Sequence, residues 1–295
     1  MAGRLMVTGC SGQVGRYLVQ QAAIGGWTIA SFDREQLDIT DFVLVEQAVK
    51  KFKPDVIINA AAYTAVDKAE SEVSHSYAAN CDGPANLANA ARVNGAVIIH
   101  ISTDYVFSGD KAGPYAEGDL VCPLGVYGAS KLAGEMAVSE NCARHIILRT
   151  AWVFGEYGNN FVKTMLRIGS QRCHLGVVAD QFGGPTYAGD AAAALLIMAR
   201  YTLESGFEQW GIYHFSGAPY VSWHDFASTI FDKAVAQGLM ANVPRVDSII
   251  SADYPTPARR PANSCLDCSR ILSVFGITPS DWGAALSNLG PYMPA

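Results

Sequence analysis

The chain has 295 residues and a mass of 31.5 kDa, enough for one large domain or two intimate ones. Half of its residues are hydrophobic and 16% are charged, which excludes a disordered or polyelectrolyte protein. With 21 basic and 27 acidic residues the net charge is −6, so no nucleic-acid or membrane partner is expected, although a local basic pocket can still bind phosphate.

From the N-terminus, Leu5 to Gly9 (LMVTG) is a short apolar run ending in glycine, and Gln13 to Ile24 carries apolar residues at helical spacing. Thr28 to Phe32 predicts a second strand, and Phe42 to Phe52 a second helix stopped by Pro54. Val56–Asn59 and Ala96–Ser102 are β-branched runs too short for helices. A helix over about Val126–Glu140 and a strand at His145–Arg149 follow. Near-continuous apolar strands alternating with helices predict an α/β fold with a doubly wound parallel (Rossmann) sheet. After Arg149, glycine and proline recur in GEYGNN, DQFGGPT and YPTPARRP, which read as loops, and helical patterns return at Asp190–Tyr201 and Trp223–Ala236. The expected division is a cofactor-binding part over residues 1–152, rejoined by about 186–215, and a smaller interleaved part over about 153–185 and 216–295.

The apolar helical stretch Ala191–Ala199 is far short of the ~20 residues that cross a bilayer, and MAGRLMVTG lacks a signal-peptide core. A soluble cytoplasmic protein is expected. Seven cysteines, an odd number, do not form a disulfide framework. Cys265 and Cys268 make one CxxC without the second ligand pair that structural zinc needs, so they read as small buried or half-buried thiols.

Gly9-Cys-Ser-Gly12-Gln-Val-Gly15 follows the first strand and opens the first helix. Glycines there let backbone N–H groups and the helix N-terminus reach a pyrophosphate. Asp33 closes the second strand, placed to accept hydrogen bonds from an adenosine ribose, and Arg34 beside it can pair with a 2′-phosphate. NADPH is preferred slightly and NADH stays open.

Tyr127-Gly-Ala-Ser-Lys131 puts a phenol and an ammonium on one helical face, where the ammonium is expected to lower the phenol's pKa. Ser102 and Thr103 end the fourth strand, at the edge where such folds bind ligand.

These elements resemble the extended short-chain dehydrogenase/reductase superfamily. Longer words, from NAAAYTAVDKAE at Asn59–Glu70 through STDYVFSG, VYGASKLAGE, GNNFVKTML and DQFGGPT to YPTPARRPANS, resemble the dTDP-4-dehydrorhamnose reductase family along nearly the whole chain. The resemblance implies NAD(P)H-dependent reduction of the 4-keto group of dTDP-4-dehydro-β-L-rhamnose. Tyr127 would be the general acid, Lys131 would hold the nicotinamide ribose, and Thr103 would orient the carbonyl. Gly12, Gln13 and Val14 would meet the pyrophosphate, within the loop from Gly9 to Gly15. Asp33 and Arg34 would meet the ribose, Asp38 and Ile39 the adenine, and Ala62, Tyr63 and Thr64 would lie along the cofactor. Asp104, Tyr105 and Trp152 would border the sugar, Trp152 having simple core as its alternative.

Arg259 and Arg260, between prolines, form a basic pair suited to a diphosphate, or else a surface pair closing a turn. Asn159, Asn160 and Phe161 at a helix start would add polar and stacking contacts to the nucleotide. Asp67, Lys68 and Glu70 read as a solvated helix start. Some family members join subunits through metal-bound acids; Tyr17 and Gly189 occupy two matched positions here, so no metal is expected and a monomer or homodimer is. Tyr105 stands where related dehydratases carry an acid, against dehydration. Two other readings stay open: a ketoreductase for another nucleotide-linked deoxysugar, and a non-catalytic NADP-binding regulatory subunit resembling that of methionine adenosyltransferase.

Overall fold

The computed structural model describes residues 3–293. Six parallel strands form the central sheet: β1 (Arg4–Thr8), β2 (Thr28–Phe32), β3 (Val56–Asn59), β4 (Val97–Thr103), β5 (His145–Thr150) and β6 (Gly211–His214). Their spatial order is β6-β5-β4-β3-β1-β2, with β1 the hinge of the winding. Leu5, Met6, Val7 and Val56–Ile58 are fully buried, as strands covered on both faces require.

The longer helices are α1 (Gln13–Ile24), α2 (Phe42–Phe52), α3 (Gly83–Val93), α4 (Val126–Asn141), α5 (Phe161–Gly169), α6 (Ala188–Tyr201) and α7 (Trp223–Ala236). One apolar layer joins Leu18 and Ala22 of α1, Leu195 and Met198 of α6 and one face of the sheet. The other joins Val45 and Val49 of α2, Leu87 and Ala91 of α3 and Val138 of α4 against Met6, Ile57 and Ile98. A third cluster, with Phe154, Phe226, Phe231 and Trp282, lies outside the sheet, between α5, α7 and the C-terminal segment. Short ladders from residues 153–187 and 217–281 surround it.

The expected strands and helices all form, and elements that the sequence reading lacked join them, among them helix α3 and strand β6. Helix α3 is rich in small residues and Asn, preceded by a π-helical turn at Ala78–Asp82. Strand β6 adds a sixth strand from the C-terminal half. Cys265 and Cys268 are both buried, and all seven cysteines are free thiols. Among the described residues no helix is long and apolar enough to cross a membrane.

Candidate active site

The glycine loop sits at the C-terminal end of β1. Gly9 has φ +72°, a left-handed conformation that favours glycine, and a Cβ there would lie 2.5 Å from the Ala61 nitrogen. A Cβ on Gly15 would lie 2.1 Å from the Gly9 carbonyl oxygen, so α1 can approach the loop only as glycine. Helix α1 begins at Gly12 with no side-chain cap, leaving its first-turn N–H groups for an anion.

Beside this loop is a cleft of about 410 Å³. Gly9, Gly12, Asp33, Arg34, Asp38, Ile39, Ala62 and Tyr63 contribute to its walls. Gln13, Val14, Gly15 and Thr64 are not among the lining residues: Gly15 is packed beneath the loop and Thr64 is exposed. Asp33 Oδ1 accepts the Glu35 and Gln36 N–H groups at 3.0 Å, which fixes the acid at the end of β2. Asp38 is held below the usual carboxylate range by hydrogen bonds from the Thr40 backbone and hydroxyl. Uncapped helix, glycine cradle, ribose-height acid and adjacent arginine together fit a phosphorylated dinucleotide. The sequence missed Ser11, which lies inside the glycine loop, Leu37 in the segment after β2, and His75 and Ala78 on the short helical turns before α3, which carry no motif of their own.

Catalytic candidates converge next to it. Thr103 is the last residue of β4, and its Oγ1 accepts the Tyr105 N–H at 3.2 Å while donating to Asp104 Oδ1 at 3.0 Å. Helix α4 approaches this turn closely: a Cβ on Gly128 would lie 2.2 Å from the Tyr105 carbonyl oxygen. Tyr127, one residue before, sets its ring edge-on to Tyr105 with centroids 5.4 Å apart. Glu70 Oε1 accepts the Val126 N–H at 2.8 Å, steadying the start of α4. Glu70 is therefore an anchor of the catalytic helix, where the sequence suggested only a solvated helix start. At the ends of β4 and β5, the buried Ser102 and Thr150 hydroxyls make no hydrogen bond.

Lys131 is buried one helical turn below Tyr127, its Nζ donating to the Ile101 carbonyl at 2.6 Å and lying 3.3 Å from His100 Nε2. Burial brings its pKa down to about 8, with Glu135 opposing. Tyr127 is pushed up to about 12 by burial and by the Asp104 carboxyl, against a hydrogen bond with Thr103. The expected lowering of the phenol by Lys131 does not occur: the ammonium is turned to Ile101 and His100, and desolvation of the phenolate dominates. A phenol that stays protonated at neutral pH is a proton donor.

Trp152 has φ +51° and is half-buried; its ring stacks on Trp223, with centroids 3.5 Å apart and planes within 10°. Its half-buried ring also packs against the apolar cluster of Val106, Phe107 and Leu266. A groove of about 510 Å³ runs from Ser108 and Gln181 to Tyr254, Arg259 and Arg260. Arg259 is exposed there, whereas Arg260 is tied to Asp67 at 2.9 and 3.2 Å. Asp67 is thus a partner for Arg260, which the sequence, reading Asp67 as a solvated helix start and Arg260 as a diphosphate contact or a surface pair, did not join. Asn160 is spent differently: Oδ1 caps α5 at Lys163, and Nδ2 donates to Gln13 Oε1 at 3.0 Å. It lies beside the glycine-loop helix and not in the arginine groove.

A Rossmann sheet whose glycine loop opens a nucleotide cleft, with Thr, Tyr and Lys from β4 and α4 at its side, defines a short-chain dehydrogenase/reductase. The sequence model described as the RmlD substrate binding domain matches residues 3–290. Among curated relatives, the dTDP-4-dehydrorhamnose reductase of Aggregatibacter actinomycetemcomitans is 53% identical over 290 residues, covering 98% of this chain and 99% of its own. That of Escherichia coli strain K12 is 40% identical over 289 residues, covering 97% and 96%. The crystal structure of dTDP-4-dehydrorhamnose reductase from Bacillus anthracis in complex with NADP superposes with a TM-score of 0.88 at 38% identity, covering 97% and 98%. The chain belongs to the dTDP-4-dehydrorhamnose reductase family.

Proposed function

We propose that this protein reduces the 4-keto group of dTDP-4-dehydro-β-L-rhamnose to give dTDP-β-L-rhamnose, with NADPH as reductant. The observation that carries the reading is the convergence of Thr103, Tyr127 and Lys131 beside the glycine-loop cleft, in a chain of this family. The bound cofactor supplies hydride to the carbonyl carbon. The protein's part is a proton and a fixed geometry. Tyr127 donates its phenolic proton to the oxygen, and Thr103 Oγ1 holds that oxygen in line. Lys131 holds the ribose side of the cofactor, Asp33 and Arg34 its adenosine end, and the first turn of α1 its pyrophosphate. Asp104, Tyr105 and Trp152 wall the sugar, and exposed Arg259 meets the diphosphate, with Arg260 braced by Asp67.

The fold supports reading residues 1–152 with about 186–215 as the cofactor-binding part, since β6 and α6 complete the sheet and its cover. Residues of about 153–185 and 216–295 then hold the nucleotide sugar. All three catalytic candidates come from one chain, so a monomer or a homodimer suffices, and a cytoplasmic setting belongs to the same reading.

The test is loss of 340 nm absorbance from NADPH with enzymatically generated dTDP-4-dehydro-L-rhamnose, with dTDP-rhamnose identified as product. Cofactor binding without turnover would favour the non-catalytic alternative instead.

A further inference from the structure

Beneath the catalytic lysine, a line of buried polar groups crosses three strands. Thr8 Oγ1 on β1 lies 2.7 Å from Asn59 Oδ1 on β3, and Asn59 Nδ2 lies 3.0 Å from His100 Nδ1 on β4. His100 Nε2 in turn lies 3.3 Å from Lys131 Nζ on α4. Asn59 and His100 are fully buried, and none of these contacts belongs to the proton-donating step itself.

The direction of each bond follows from one fixed donor. The Ala61 backbone N–H, which can only donate, points at Asn59 Oδ1 at 3.0 Å. Oδ1 is therefore the acceptor, also of the Thr8 hydroxyl, and Nδ2 is the donor facing His100. An imidazole that accepts at Nδ1 carries its proton, when neutral, on Nε2. Burial, the larger cause, holds His100 well below its ordinary pKa whatever the charge on Lys131, hence neutral. Its Nε2–H then points at Nζ. An ammonium has no lone pair to receive it, whereas an amine has one.

We propose that His100 is a positioning residue for Lys131: oriented by Asn59, its Nε2–H donates to Nζ and favours the neutral amine over the ammonium in the free protein. The other polar groups around Nζ do not reverse this. Ile101 O accepts one of its hydrogens at 2.6 Å. Glu135, one turn further along α4, favours the charged form but is itself committed to Arg149 of β5 at 2.6 and 2.9 Å. For the proposed reduction, weakening the positive charge at Lys131 leaves Tyr127 a phenol and so a donor. That consequence rests on the reductase reading; the protonation pattern does not.

The experiment uses the full-length, ligand-free protein, labelled with ¹³C and ¹⁵N. Imidazole ¹⁵N correlations report the His100 tautomer, and the Lys131 ¹³Cε shift, assigned with Lys131→Met, reports its titration. We expect His100 protonated on Nε2 and bare on Nδ1 between pH 6 and 9 (about the range where a neutral ring persists). Lys131 should titrate below about 8, since burial, opposed by Glu135, brings it there and the donated N–H adds to it. In Asn59→Asp, a carboxylate replaces the Nδ2 donor, so the proton should move to Nδ1 and the Lys131 midpoint should rise by about one unit or more. An Nδ1–H tautomer in the wild type, a Lys131 midpoint at 8 or above, or an unchanged tautomer in a folded Asn59→Asp overturns the proposal. If that variant does not fold, the two wild-type readings decide alone. Neither needs turnover, so failure of the reductase assay and failure of this proposal are distinguishable.

Discussion

At Tyr127 the energetics differ from what a YxxxK pair suggests by itself. Spacing on a helix places phenol and amine on one face, yet it says nothing of which carbonyl the lysine meets or how dry the phenol is. Burial and Asp104 hold the phenol high, so the donor form persists through neutral pH. Tyr127→Phe should lower kcat by about 10²–10⁴-fold and leave NADPH affinity, measured by fluorescence titration, within about two-fold. Asp104 has its own signature. Burial pushes its carboxyl up to about 6, so the folded protein binds a proton that the unfolded chain has released. Stability should therefore fall as pH rises from about 4 to about 6, and in Asp104→Asn the unfolding midpoint should lose that decline. The same variant removes a carboxylate facing Tyr127, so the alkaline limit of reduction should move to lower pH. At the cofactor end, Arg34 lines the cleft beside Asp33. Arg34→Ala should raise KM for NADPH by about 10–100-fold, the worth of a charge-assisted bond of about 1.5–3 kcal/mol, and change KM for NADH little.

Helices and strands were legible where periodicity and punctuation agree. Helix α2, for example, has Asp41 accepting the Val43 and Leu44 N–H groups, Lys50 and Lys51 in its last turn, and Pro54 just beyond. Helix α3 escaped because its core face is mostly alanine, which contrasts little with the Asn on its other positions. Strand β6 escaped because four residues, Gly-Ile-Tyr-His, are too few to show a period. Of the candidate site, the motif residues Gly9, Gly12, Thr103, Tyr127 and Lys131 could be proposed from the sequence alone. The contacts that hold them could not. Glu70 and Val126 are 56 positions apart, His100 and Lys131 are 31 apart, and no local pattern joins either pair. The Glu70 contact yields an element-scale prediction. Glu70→Ala frees an N–H at the start of α4 and should cost about 0.5–2 kcal/mol in denaturant unfolding. It should also lower kcat more than it raises KM, because Tyr127 is the next residue along the helix.

Across the whole molecule, the proposed reading has a mildly acidic chain hold an anionic substrate through local sites. The anion sites of that reading are the uncapped backbone at the start of α1 and the groove that holds exposed Arg259 and the Asp67–Arg260 pair, which bridges 193 positions of sequence. Gln13 and Asn160 make a second bridge, from the glycine-loop helix to α5. Both bridges tie the sheet's C-terminal edge to the interleaved part, where the proposed site lies. The account's central claim is transfer of hydride to C4 of the sugar. Reduction of dTDP-4-dehydro-L-rhamnose with NADPH deuterated at the transferable position, followed by NMR of the product, tests it directly. One deuterium at C4 of dTDP-rhamnose is the predicted result; deuterium at another carbon, or none in the product, would contradict it.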